Sequence, residues 1–136
     1  MALFEWKKEY SVGVQVLDKH HQKLIRIIND VHNAMKEGKA QEAVIRAVDE
    51  LLDYAKYHFG EEEKLMEKIK YAELETHRNA HRLFIAKAEE YKKQADKGLA
   101  AFMSLGVSKF LIDWLINHIG TVDKRYQKEM NAKGIK

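Results

Sequence analysis

Apolar residues recur along this chain at alternating steps of three and four, and that spacing constrains the fold more than any other feature of the sequence. It is the period of helices that each turn one stripe toward a shared core. Leu17, His21, Leu24, Ile28, Val31 and Met35 form the first stripe, in a segment that opens with an aspartate, LDKHHQKLIRIINDVHNAMKEGK, and stops at Gly38. Val44, Val48, Leu51, Ala55, His58, Glu62 and Leu65 form the second, and Leu74, His77, His81, Phe84, Ala88, Tyr91 and Ala95 the third. Val107, Leu111, Trp114 and His118 begin the fourth.

Connections near Gly38, around residues 68 to 72 and around 96 to 104 are short, which makes successive helices antiparallel neighbours. The expectation is an all-α, up-down-up-down four-helix bundle forming one domain over 1–136, with helices at about 18–37, 40–66, 72–95 and 105–130. Residues 1–16 precede it as an arm. Its YSVGVQV alternates like a strand without a partner, and it is read as an extended segment laid along the bundle and anchored by Phe4 and Trp6.

Composition narrows the function. The 136 residues include seven glycines and no proline, as in helical rather than turn-rich proteins. A formal charge of +3, with both signs mixed along the chain, makes no case for nucleic acid or an anionic membrane. No stretch approaches a membrane span or a secretory leader, so a soluble, cytoplasmic protein is expected. The absence of cysteine excludes disulfides, thiolate zinc sites, iron–sulfur clusters and cysteine nucleophiles.

What stands out is where the core stripes turn polar. His21, His58, Glu62, His77, His81 and His118 occupy positions where leucine is expected. Left without partners, each would cost about 1 to 3 kcal/mol. His58 and Glu62 lie one helical turn apart on one face, as do His77 and His81. Two such pairs, with single histidines on the other two helices, point to a metal site. His32 shares a face with His21 but lies about 16 Å along the axis, too far to join it. His20 points about 100° away from His21 and is read as a neighbour of the cluster or a surface group, not a ligand.

This constellation resembles the hemerythrin family, specifically its single-domain bacterial members, over nearly the whole chain. The family pattern is a lone histidine on the first helix, then His-x-x-x-Glu, His-x-x-x-His and His-x-x-x-x-Asp. Here these are His21, His58 with Glu62, His77 with His81, and His118 with Asp123. The arm's Trp6 and VGV, the run HFGEEEKLM and the run WLINHI also look like bacterial members. The chain departs from the pattern at His20, where glutamine is common, and at Ala72, where proline often follows the tyrosine.

The resemblance implies five imidazoles and two bridging carboxylates around two irons that share an oxo or hydroxo bridge. Two octahedral ions offer twelve positions, of which those ligands fill eleven. One position stays open, on the iron held by His21 and His58, while His77, His81 and His118 complete the other. Two tetrahedral zincs would offer only eight positions for nine protein donor atoms. Manganese or cobalt would still be accommodated, and ferritin-like sites use Glu-x-x-His pairs and more carboxylates.

The implied function is reversible dioxygen binding without catalysis: a carrier, store or delivery protein. An electron donor or an oxygen-consuming enzyme is a possible partner. The alternatives are an oxygen or redox sensor domain, or a diiron enzyme reducing peroxide or nitric oxide. Phe59, Trp114, Leu115 and Leu24, or Ile25, are expected to wall the open position as a dry pocket. Tyr126 is assigned no role.

Residues five apart on a regular α-helix diverge by about 140°, so His118 and Asp123 can share one site only if the helix is broken. A π-type turn between Ile119 and Asp123, eased by Gly120, is therefore predicted.

Overall fold

A computed structural model describes residues 5–37, 41–98 and 107–136. The expected roles of Phe4 and Gly38 lie outside the described residues, and the side chains of Met35, Ala95, Val107 and Leu111 lie outside the described side chains. Four helical segments, α1 (Gln15–Lys36), α2 (Gln41–Lys68), α3 (Leu74–Lys97) and α4 (Val107–Asn117), form a four-helix bundle. Helix α1 packs on α2 and α4, and α3 packs on α2 and α4, so neighbours in sequence are neighbours in space. The fourth segment continues through a π turn (His118–Val122), a 3-10 turn (Asp123–Tyr126) and a short α5 (Gln127–Ala132). No strand occurs among the described residues, and none of their helices is long and apolar enough to cross a membrane.

The core is two apolar layers with a polar layer between them. In one, Leu24, Ile28, Val48, Leu51, Ala55, Phe59, Phe84, Leu115 and Ile119 pack together; in the other, Val12, Val14, Leu17, Met66, Ile69, Tyr126 and Met130 do. Each fully buried aliphatic or aromatic side chain contributes about 1.5 to 3 kcal/mol. Along α1 the stripe passes from Leu17 in one layer through His21 to Leu24 in the other. Along α2 it passes from Ala55 and Phe59 through Glu62 to Met66, so Met66 takes the buried place expected of Leu65, which is only half-buried.

The arm differs from an extended segment. Lys8–Tyr10 form a 3-10 turn and α1 begins at Gln15, about three residues before the expected start. The cause is Asp18. It does not open the helix from its N-cap; it sits in the first turn, where its carboxylate accepts the Val12 N–H (2.8 Å) and the Ser11 hydroxyl (2.5 Å). These bonds fold the chain back at Gly13, whose φ of 69° favours glycine. The backbone carbonyl of Gly13 accepts from Asn131 Nδ2 at 2.9 Å, joining the arm to α5. Val12 and Val14 are buried, but Val16, next in the alternation, is 51% exposed because the helical period has taken over.

Helix α2 ends in a Schellman turn: Tyr71 N–H bonds to the Met66 carbonyl and Lys70 N–H to that of Glu67, both at 3.0 Å. The left-handed position falls on Lys70, with φ 54°, where glycine is preferred. Lys70→Gly is therefore expected to raise stability by about 1 kcal/mol. Gly13→Ala is expected to lower it by more than about 1 kcal/mol, because its Cβ would also meet Gln127 side-chain atoms 2.6 to 2.8 Å away. Urea unfolding at constant metal loading measures both.

Candidate metal centre

The polar layer consists of His21 from α1, His58 and Glu62 from α2, His77 and His81 from α3, His118 from the π turn and Asp123 from the 3-10 turn, all buried. Asp123 reaches it because the chain makes the turn its spacing requires. The Asp123 N–H bonds to the His118 carbonyl five residues back, and the π turn carries the aspartate onto the histidine's face. A methyl group at Gly120 would meet only the Tyr10 ring, at an ordinary 3.8 Å. Close packing therefore does not demand that glycine.

Each carboxylate divides its oxygens between two groups of donors. Glu62 Oε1 faces His77 Nε2 (3.1 Å) and His81 Nε2 (3.0 Å), while its Oε2 faces the Nε2 atoms of His21 and His58, both at 3.5 Å. Asp123 Oδ1 faces His77 Nε2 (2.8 Å) and His118 Nε2 (2.9 Å), while Oδ2 lies 3.2 Å from His21 Nε2. The result is a compartment of five donors (Glu62, His77, His81, His118, Asp123) beside one of four (His21, His58, Glu62, Asp123).

Two observations fit these donors to cations. In the five-donor compartment, the Nε2 atom of His118 lies 3.1 Å from those of both His77 and His81, so three imidazoles from two elements converge on one space. In the other compartment, His21 Nε2 and Asp123 Oδ2 are buried without hydrogen-bond partners, although only 3.2 Å separates them. Their geometry is not that of a hydrogen bond, and together with the His58 and Glu62 donor atoms they lie within 4.8 Å of one another.

The electrostatics are those of a site that expects positive charge. Burial opposes ionisation of Glu62, yet His58, His21 and His77 hold its carboxyl well below the usual range. Burial and the Glu62 charge likewise oppose ionisation of Asp123, but His118 and His21 draw its value down. Burial disfavours charged imidazoles, but the facing carboxylates raise His21 and His77 to about 9 and also raise His81. His58 goes the other way, to about 4, because burial dominates there.

A surrounding set of groups holds the donors, and sequence reasoning missed most of it. Tyr126, assigned no role, donates its hydroxyl to Glu62 Oε2 at 2.7 Å, and burial followed by the two carboxylates keeps that phenol well above its ordinary value. His81 Nδ1–H donates to Glu63 Oε2 (2.8 Å), and Arg78 Nε donates to Glu63 Oε1 (3.1 Å). His20 Nδ1 meets His58 Nδ1 at 3.0 Å, so it neighbours the cluster without joining either donor group. His32 belongs to neither group and is half-buried. The Phe59 ring lies flat on His81 (3.9 Å between centroids) and Trp114 flat on His118 (4.4 Å), so both cover the five-donor compartment. Leu24 and Leu115 are buried in the adjoining apolar layer, and Ile25 is also buried.

Fold and site together define a helical-bundle protein whose buried imidazoles and shared carboxylates form two adjoining donor groups that could hold metal. A model of the hemerythrin HHE cation-binding domain matches residues 12–129. The chain belongs to the hemerythrin family. It is similar to the bacteriohemerythrin of Pseudomonas aeruginosa, 35% identical over 126 residues that cover 93% of this chain and 80% of that one. It is 32% identical to the bacteriohemerythrin of Methylococcus capsulatus over 97% of this chain and all of that one. The crystal structure of a wild-type hemerythrin superposes with a TM-score of 0.81 at 27% identity, covering 93% of this chain and 97% of that one.

Stripped of metal, the protein should be most stable near pH 6.5. The stabilisation from His21 and His77 is complete below the unfolded histidine value of about 6.5 and is lost as pH rises through about 9. That from neutral His58 is lost as pH falls from about 6.5 toward 4, and that from the depressed carboxylates is lost only below about 4.5. Thermal melts of chelator-treated protein from pH 4 to 10 should show both arms, and metal loading should remove the alkaline one. Tyr126→Phe should weaken metal binding about 10-fold, read by competition with a chelator.

Proposed function

We propose that this protein binds dioxygen reversibly at two irons, held by His21, His58, Glu62, His77, His81, His118 and Asp123, without catalysing a further reaction. The observation that carries the reading is the unequal division of donors: five in one compartment and four in the other, with both carboxylates shared. Two ions held there would therefore meet unequal sets of protein donors, the second with more room for an outside ligand. Ferrous ions held this way supply two electrons and one open coordination position, which is what reversible dioxygen binding uses.

The chain's own residues serve that purpose in three ways. The imidazoles present Nε2 to the centre and must be neutral to ligate, so acid should release the metal and loosen the fold together. The Tyr126 hydroxyl anchors Glu62 in its shared position. Leu24 and Leu115, in the apolar layer beside the donors, limit the water that would promote loss of the bound gas and oxidation of the irons, while Phe59 and Trp114 cover the five-donor side and not the open position expected of them. No acid side chain is needed at the open position. The bacteriohemerythrin relatives support the assignment of iron and dioxygen to this chain.

Stopped-flow mixing of the diferrous protein with oxygen tests this reading. A coloured adduct that forms rapidly and disappears on deoxygenation, returning the diferrous state over repeated cycles, is the expected result. Direct conversion to the diferric form within one mixing cycle would contradict it and favour redox chemistry.

A further inference from the structure

His20 stands next to the donor His21 on α1, and the structure gives it a specific partner. His20 lies on α1 and meets His58 of α2 through their Nδ1 atoms, 3.0 Å apart. His58 is a donor of the four-donor compartment, with Nε2 directed at Glu62 Oε2. A lone pair on that Nε2 requires the proton to sit on Nδ1. A contact between two neutral ring nitrogens needs one donor and one acceptor, so His20 Nδ1 accepts and carries its own proton on Nε2. The His20 ring is fixed by Tyr54, edge-on at 5.9 Å, and by Tyr57 at 5.4 Å. The other imidazole in this compartment has no such support, since His21 Nδ1 is buried without a partner.

The five-donor compartment is built differently. There His81 gives its Nδ1–H to the Glu63 carboxylate, which Arg78 grips from the other side. An anionic acceptor raises the donor strength of the ligating imidazole more than a neutral one does.

We propose that His20 is a positioning residue for the metal that the four-donor compartment would hold: it fixes the His58 tautomer and, as a neutral acceptor, holds the donor strength of His58 below that of His81. The proposal rests on the diiron reading given above. Its consequence is that the open iron, the one meant to take up and release gas, receives less electron density and resists permanent oxidation better than it would beside a carboxylate.

The tautomers can be read without iron. Long-range proton–nitrogen NMR of protein loaded with a diamagnetic divalent cation, which would occupy the His58 lone pair that otherwise faces the Glu62 carboxylate, should show His58 protonated on Nδ1 and His20 on Nε2. His20→Gln, whose amide oxygen still accepts, should preserve the His58 tautomer, and His20→Leu should release it to a mixture. In the iron-loaded protein, His20→Leu should lose one of its two irons to a chelator about 10 to 100 times faster, while His20→Gln stays within about twofold of the parent. His20→Glu should hold that iron more tightly and oxidise several-fold faster. Proton placement on His58 Nε2 in the parent protein, or indistinguishable Gln and Leu variants, would overturn the proposal. If the parent shows the stated tautomers but never takes up two irons, the diiron reading fails while the positioning of His58 by His20 stands.

Discussion

Two carboxylates, Glu62 and Asp123, lie fully buried at the middle of a helical bundle, and the rest of the structure is arranged around their charge. A lone carboxylate moved from water into such a core would become protonated or unfold the protein. Here both are held ionised by imidazoles on every side, and each turns one oxygen to either compartment. The histidine ring nitrogens converge on the same space, to within 3.1 Å of one another in the five-donor compartment. Bound metal would supply the positive charge that this polar layer otherwise takes from protonated imidazoles. The apolar layers above and below then act as insulation, strengthening attraction within the centre and excluding water that would compete for the metals.

Delivery of the second carboxylate is the costly step. An uninterrupted fourth helix would point Asp123 away from His118; the π turn corrects this and then tightens into a 3-10 turn before α5. The same correction brings Tyr126 onto the buried face, where it holds Glu62. The irregular segment is braced by the arm, whose Tyr10 ring packs beside Gly120, while α5 is joined to the arm through Asn131 and Gly13. The arm that precedes the bundle thus supports the least regular part of the site.

Much of this was legible in the sequence for one physical reason: helical period assigns a face to every residue, so a histidine in a leucine position declares itself. Six of the seven donors are found that way. Asp123 is found only by resemblance, together with the recognition that five-residue spacing requires a π turn. Tyr126 was missed because its face follows from that turn; once Asp123 is known to point inward, the residue three further along should point inward too. Glu63 was hidden in an acidic run that looks like a solvated face, and its partner Arg78 is distant in sequence. The arm was misjudged because alternation in YSVGVQV reports which valines are buried but not the hydrogen bonds from Ser11 and Val12 to Asp18 that start α1 early. Likewise, periodicity could not decide between Leu65 and Met66 at the end of α2, where the two share nearly the same height.

The most direct test of the central claim is anomalous diffraction at the iron edge from crystals of the iron-loaded protein. Two peaks within about 4 Å of each other are expected. One should be ligated by His77, His81 and His118 and the other by His21 and His58, with Glu62 and Asp123 spanning both. A single peak, or a second ion already six-coordinate through protein atoms alone, would contradict it.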